Sequence, residues 1–242
     1  MYKCFLTKEE FDKKAFSGEN YHHLCNVLRS KIDDEFLVGY DNFTYISKIT
    51  SISKDKVCFE VIDKYSLETE FPFSITIAQG YPKGDKMEFI IQKLVELGCN
   101  EIIPVMMERS IVKLDEKKIK SKKERLEKIA LEASMQSRRN NLTKVLDIKN
   151  LKDVDFSLYD RLIVAYEEDA SDCKKNNLKD IIKGIKENER VLFLIGPEGG
   201  ISPDEYRFLI DKGFISTNLG SRILRTETAP IYILSAINYE RG

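Results

Sequence analysis

The run Val191-Leu192-Phe193-Leu194-Ile195 followed by Gly196-Pro197-Glu198-Gly199-Gly200 and Ile201-Ser202-Pro203-Asp204-Glu205 constrains this chain more than any other stretch. Five consecutive apolar residues without alternation read as a strand buried on both faces, which is the environment of a parallel sheet covered by helices. The serine, proline and glutamate spell a helix start: Ser202 as N-cap, Pro203 in the first helical position and Glu205 closing a capping box. A strand that empties into a glycine-rich turn at its carboxyl end, then into a helix, presents backbone where open α/β sheets bind ligands.

The same texture extends from about residue 73 to the end. Ser74 to Ala78, Glu101 to Met106 and Arg161 to Tyr166 are further buried strands. Between them lie amphipathic helices from about Lys86 to Leu97 and from about Asp115 to Ser137, the first stopped by Gly98. The long one carries Ile119, Leu126, Ile129, Ala130 and Ala133 as a narrow apolar stripe, and a last helix to Tyr239 packs Ile233, Leu234 and Ile237. Residues 1–72 differ. Short β-rich runs at 35–40, 43–49 and 56–62, turned by Asp41-Asn42 and Lys54-Asp55, read as a small antiparallel barrel or curled sheet. A short helix from Tyr21 to Leu28, with Leu24, Val27 and Leu28 at helical spacing, interrupts it, and Glu68 to Pro72 is the expected boundary.

Of the 242 residues, 42% are hydrophobic and 33% charged, which supports a real core and excludes disorder of the whole chain. No stretch approaches the ~18 apolar residues of a membrane span, and the first residues lack the apolar middle of a secretory signal, so a cytoplasmic protein is expected. Cys4, Cys25, Cys58, Cys99 and Cys173 are dispersed and odd in number, against a zinc site or a disulfide framework. The formal net charge of -1 conceals an uneven distribution. Residues 113–144 hold 11 basic and 5 acidic side chains, whereas every other segment is slightly acidic.

Two loops concentrate chemistry. Gly196–Gly200 satisfies either a plain tight connection or a ligand loop; as a nucleotide phosphate site it lacks the P-loop lysine and Ser/Thr, and Glu198 would repel phosphate. A cationic or neutral ligand suits it better. The second loop, Leu219-Gly220-Ser221-Arg222-Ile223-Leu224-Arg225-Thr226-Glu227-Thr228-Ala229-Pro230, gathers arginines, a glutamate and threonines where a strand meets the last helix. It serves as a charged, capped loop or as a site; Thr226 or Thr228 can cap, and Pro230 is tolerable only within the first turn.

GPEGGIS with its following glutamate, then LGSRILRTETA, resembles the RsmE family of the SPOUT superfamily, which methylates N3 of a uridine in small-subunit ribosomal RNA. Further matches run along nearly the whole chain: His23-Leu24 with Val27-Leu28-Arg29, Lys83-Gly84-Asp85-Lys86, Gln92-Lys93, Glu96-Leu97-Gly98, Pro104, Arg109-Ser110, and Gln136-Ser137 with Arg139. Met135 and Thr143 depart from the family pattern, where Glu and Pro are usual. The resemblance implies an α/β fold with a PUA-like β-barrel over 1–72 that helps bind RNA. Over 73–242 it implies a SPOUT-type knot domain with a mainly parallel sheet and a C-terminal trefoil knot. It also implies a homodimer, S-adenosyl-L-methionine as methyl donor, no metal, and 16S ribosomal RNA or the small ribosomal subunit as partner, with no membrane association. Methylation of another RNA site, a ribose or transfer RNA, and a noncatalytic RNA-binding assembly factor are the competing readings.

Carried onto this chain, the resemblance places the donor on Leu194, Ile195, Gly196, Glu198, Gly199 and Gly200 of the first loop. The second loop contributes Leu219, Gly220, Ile223, Leu224, Arg225 and Thr226, and Ala165 with Tyr166 either flanks the pocket or only packs. Uridine N3 is protonated near neutral pH, so a site must remove that proton or stabilise the anion left behind. Arg225 is the candidate for the electrostatic role. Glu227 can accept the proton, pair with Arg225 or favour the helix N-terminus. For RNA the candidates are His23 and Arg29 in the first domain, Lys93, Arg109 with Ser110, and Gln136 with Arg139. His23 can equally be packed, and Arg29 can cap carbonyls. The lysines of 113–144 supply phosphate attraction or merely a solvated face. Replacing Lys117, Lys118, Lys122 and Lys123 together is expected to weaken RNA binding and flatten the log-log salt dependence by about 3; filter binding across salt concentrations measures it, and an unchanged slope returns that helix to a solvated face.

Overall fold

The computed structural model describes residues 1–65, 69–112, 115–166 and 177–242, apart from the side chain of Glu116. Cys173, Glu68 and the first two residues of the basic segment lie outside the described residues. The chain divides into two compact units, 1–70 with 134–142, and 71–133 with 143–242.

In the first unit five strands form one sheet in the order β1-β3-β4-β5-β2, with β1 Lys3–Phe5, β2 Ala15–Phe16, β3 Glu35–Tyr40, β4 Phe43–Ile52 and β5 Val57–Tyr65. The β3–β4 hairpin turns on Asp41 and Asn42, both at positive φ, the conformation that two-residue hairpin loops demand. Register shifts at Ile46/Ser47 and Ile49/Ser51 bend the β4–β5 pair, as extra residues in one strand of a ladder do. The inward faces meet in a cluster around Phe16, Phe36 and Phe59, whose ring centroids lie 5.7–6.0 Å apart. A capped helix α1, Lys8–Asp12, with Thr7 and Glu10 as a complete capping box, was not anticipated from the apolar pattern. The expected helix at 21–28 is instead α2, Gly18–Tyr21, running into a π-helical turn, His22–Val27. The wider turn buries Leu24 alone and leaves Val27 and Leu28 exposed, so the helical spacing of the three does not make one packed face.

Residues 134–142 pack within this unit through two buried cations. Lys3 Nζ donates to Thr44 Oγ1 and to the Arg139 carbonyl, each at 2.5 Å, and burial pulls its ammonium down to about 8. The guanidinium of Arg139, 2% exposed, forms a forked pair with the Glu70 carboxylate.

The second unit is built on a sheet in which every described pairing is parallel, in the order β12-β10-β11-β6-β7-β8, with β9 also on β7. Its strands are β6 Ser74–Gly80, β7 Glu101–Met106, β8 Lys144–Val145, β9 Lys149–Asn150, β10 Arg161–Ala165, β11 Arg190–Ile195 and β12 Ile215–Thr217. Both faces are covered, as the unbroken apolar runs require. Val191, Phe193 and Ile195 alternate into one cluster with α3 (Lys86–Glu96), α4 (Glu116–Gln136), α5 (Leu178–Lys183) and α7 (Thr228–Arg241). Leu192 and Leu194 face the other cluster, with α6 (Pro203–Asp211). Ile233, Leu234 and Ile237 of α7 are fully buried, and Leu126, Ala130 and Ala133 form the buried stripe of α4. No described helix is long and apolar enough to cross a membrane.

Removing one partner of a buried charge pair strands the other, at a typical cost of ~3 kcal/mol or more. Glu70→Gln is therefore expected to lower unfolding free energy by about 3 kcal/mol in urea titrations, with Glu70→Leu/Arg139→Met recovering part of it; no loss in the single variant would show that the pair does not hold the segment.

Candidate active site

The carboxyl ends of β6, β10, β11 and β12 meet at one edge of the parallel sheet, and a cavity of about 610 Å³ opens there. Its walls are the loop after β11 and the loop between β12 and α7, with Ala165 and Tyr166 from the end of β10. Helix α6 begins as expected: Ser202 Oγ accepts from Glu205 N at 3.3 Å, and the Glu205 carboxylate accepts from Ser202 N at 3.1 Å. The turn ahead of it closes with Gly200 N donating to Pro197 O at 2.9 Å, and Gly200 sits at φ +72°, where a side chain would be strained. Below the turn, β6 ends in Gly80; a Cβ there would stand 2.4 Å from the Pro197 nitrogen, so only glycine lets the strand approach the loop backbone.

The second loop crosses back from β12 over the end of β10 to reach β11. Tyr166 N donates to Thr217 O at 3.1 Å at the near end, and Thr226 Oγ1 donates to Gly196 O at 2.7 Å at the far end. The same hydroxyl accepts from Nε2 of the buried Gln79 on β6 at 2.8 Å. Thr226 thus ties the second loop to the first loop and to β6, and neither it nor Thr228 caps α7. Helix α7 starts at Thr228 without a side-chain cap, its first amides reaching Arg225 O at 2.8 and 3.0 Å, and Pro230 lies within the first turn as it must.

One corner of the cavity is charged. Lys86, at the start of α3, places Nζ 3.1 Å from Glu198 Oε1 and 3.1 Å from Glu227 Oε2. Glu198 also accepts from Lys83 N at 3.2 Å, and Arg225 Nη1 lies 4.0 Å from Glu227 Oε1. Burial pushes the Glu227 carboxyl up. A hydrogen bond from its own backbone, the Lys86 ammonium and the Arg225 guanidinium outweigh that and hold it below the ordinary glutamate range. The Glu198 and Glu227 carboxylates beside it raise the Lys86 ammonium above the ordinary lysine value. Arg225 itself is 83% exposed at its side chain and free to reach outward.

Two family models match the chain, an RNA methyltransferase domain over residues 69–238 and an RNA methyltransferase PUA domain over 16–62. The ribosomal RNA small subunit methyltransferase E of Bacillus subtilis (strain 168) is 40% identical over 241 residues, 97% of this chain and 94% of its own length. The chain belongs to the ribosomal RNA small subunit methyltransferase E family. Among solved structures, a crystal structure of a hypothetical protein is 39% identical with a TM-score of 0.90, covering 99% of this chain and 98% of that one. A family member from Neisseria gonorrhoeae, solved bound to S-adenosyl methionine, is 28% identical with a TM-score of 0.80, covering 100% of this chain and 98% of that one.

Of the positions that the resemblance assigns to the donor, Ala165, Ile195, Gly196, Glu198 and Gly200 lie on the cavity wall, as do Leu219, Gly220, Ile223, Leu224, Arg225 and Thr226. Leu194 does not: it is fully buried in the core beside α6. Gly199 lies off the wall, its carbonyl accepting from Arg109 Nη1 at 3.1 Å, so this family member uses Arg109 to brace the turn. Ser110 Oγ accepts from Met107 N, and Lys93 pairs with Glu96 on α3. In the first unit His23 stacks on Tyr2 with centroids 4.8 Å apart, Arg29 is exposed just past the π-helical turn, and Gln136 is exposed at the end of α4. Arg139 corrects the expectation of a free RNA-contacting side chain, because its guanidinium is buried against Glu70. Lys123 is engaged by Asp147 at 2.5 Å and Arg125 by Glu88. Lys83, Lys86 and Gln79 were missed as site residues; Lys83 and Lys86 stand in the quoted Lys83-Gly84-Asp85-Lys86 match, while nothing local marks Gln79. Among the described residues no group of His, Cys, Asp and Glu is placed to hold a metal.

Losing the Thr226 hydroxyl would leave the Gly196 carbonyl without this partner and the Gln79 amide with Gly80 O alone, at about 2 kcal/mol for shielded polar groups. Thr226→Val is expected to lower stability by that amount in chemical denaturation, and Thr226→Ser by much less; a loss in Thr226→Ser with none in Thr226→Val would assign the effect to the methyl group.

Proposed function

We propose that this chain is an S-adenosylmethionine-dependent methyltransferase that modifies N3 of one uridine in 16S ribosomal RNA of the small subunit. The carrying observation is the cavity between the two loops, apolar along Ala165, Ile195, Ile201, Leu219 and Leu224, with Glu198 on its wall and Glu227 joined to that corner through Lys86, in a member of this family. Those residues fit the donor: the apolar wall suits an adenosine moiety, close glycine backbone admits it, and the Glu198 carboxylate suits a cation. When bound, the donor supplies a methyl group already activated on its sulfonium.

What the chain must supply is position and a deprotonated uracil nitrogen. Glu227, ionised at neutral pH, takes the N3 proton, and the exposed Arg225 guanidinium stabilises the negative charge that spreads onto the uracil oxygens. The reading assigns residues 1–72 to RNA binding and 73–242 to transfer, in a cytoplasmic homodimer. It takes the return of residues 218–226 over β10 and β11 as part of a trefoil-knotted path. Exposed Arg29, Gln136 and the lysines of α4 then serve as general phosphate contacts, which position RNA without reading its sequence.

The test is methyl transfer from labelled S-adenosylmethionine to small subunits lacking the modification, followed by nuclease digestion and mass spectrometry. Recovery of 3-methyluridine is expected; a ribose-methylated or transfer RNA product would overturn the target, and absence of donor binding in calorimetry would overturn the enzyme in favour of an assembly factor. Arg225→Ala is expected to lower kcat about 100-fold, the scale of losing one charge-stabilising donor, with unchanged unfolding. A wild-type rate would remove Arg225 from the mechanism.

A further inference from the structure

Lys86 belongs to neither cavity loop, yet it is the cation that both loops' carboxylates share. Glu198 and Glu227 each place an oxygen 3.1 Å from its Nζ, so those oxygens are at most about 6 Å apart. Both carboxylates are largely shielded from solvent, 19% and 18% exposed, so water screens their repulsion poorly. Two ionised carboxylates at that range oppose each other's charge, and without a cation between them one takes up a proton more readily. The other groups facing Glu227 are Arg225, 4.0 Å away and mostly in solvent, and its own backbone N–H. Glu198 has a second tether in Lys83 N, at 3.2 Å, whereas the nearest ammonium to Glu227 is that of Lys86. The lysine itself is held by the first turn of α3, whose buried Met87, Ile90 and Ile91 lock the helix into the core.

We propose that Lys86 is the positioning residue of the transfer step: bridging Glu198 and Glu227, it fixes one carboxylate from each loop beside the cavity corner and keeps Glu227 in its ionised form. The inference rests on the methyl-transfer reading for its catalytic consequence, but the bridge acts on Glu227 whether or not RNA is present. Lys86 moves no proton in the reaction; the N3 proton passes to the Glu227 carboxylate, and the ammonium stays charged throughout.

The experiment compares wild type, Lys86→Met, Lys86→Arg and Lys86→Met/Glu198→Gln. The carboxyl of Glu227 is followed by carbon-13 NMR titration, assigned with Glu227→Gln, and the pH profile of kcat is measured on small subunits. Lys86→Met is expected to move the Glu227 titration upward by about one pH unit and to move the acid limb of the kcat profile with it. Lys86→Arg should restore both, and Glu198→Gln added to Lys86→Met should bring both part of the way back by removing the opposing charge. An unmoved titration overturns the proposal, whatever the rate. A titration that moves while the acid limb stays fixed also overturns it, since Lys86 would then set a charge that transfer does not use. No methyl transfer by the wild type would overturn the proposed function instead, and the titration would still decide whether Lys86 governs Glu227.

Discussion

The carbonyl of Gly196 leaves the sheet at the end of β11, where no further strand can accept it into a ladder, and the Thr226 hydroxyl takes it up. A partly buried backbone acceptor without a partner is costly, and this contact ties the second loop to the end of β11. Thr226 in turn is fixed by Gln79, which projects from the neighbouring strand β6 and also donates to Gly80 O at 3.1 Å. Gly80 then lets β6 touch Pro197. Three segments far apart in the chain are joined within a few ångströms, and the cavity is the space they leave between them. If the loop after β12 did not come back to β11, Ile223, Leu224 and Arg225 would have no reason to face the same volume as Glu198.

Charge is distributed in the site differently from the rest of the surface. Pairs such as Lys13 with Glu9 and Arg207 with Asp204 are exposed on both sides and belong to the class that contributes little. At the cavity corner the carboxylates are shielded, share one ammonium and leave the Arg225 guanidinium in solvent. The arrangement separates a part-buried cation lying between two carboxylates from an exposed one beside them.

Much of this was legible because it is local. The hairpin residues Asp41 and Asn42, the capping box at Ser202, and the apolar spacing of α3 and α7 are short-range patterns whose physics does not depend on the rest of the fold. The loop Gly196–Gly200 was legible as a turn at the carboxyl end of a strand for the same reason, and it lines the cavity there. What escaped was set by contacts across many residues: Gln79 is 147 positions from Thr226, and no sequence neighbour marks it as the partner of that hydroxyl. Thr226, like Thr228, could have capped the last helix; here its hydroxyl accepts from Gln79 Nε2 and donates to Gly196 O, and α7 starts without a side-chain cap. The π-helical turn at His22–Val27 escaped because apolar spacing cannot tell a 3.6-residue turn from a wider one, although that difference decides whether Val27 and Leu28 face the core or solvent.

Arg139 shows how the two kinds of information interact. An arginine in a strongly basic segment suggests phosphate, and the segment as a whole is suited to attract it. Yet the Glu70 carboxylate that binds its guanidinium also accepts from Asn140 N, and Thr69 Oγ1 accepts from the same amide at 3.1 Å. Lys3 holds the Arg139 carbonyl from the sheet side. The segment after α4 is therefore shaped by charge that faces inward, and its exposed residues, Gln136 and Arg138, stand where they do because Arg139 does not reach solvent. A basic segment that must present a defined surface to a polyanion needs such an anchor, since phosphate attraction alone would orient its side chains without fixing its backbone.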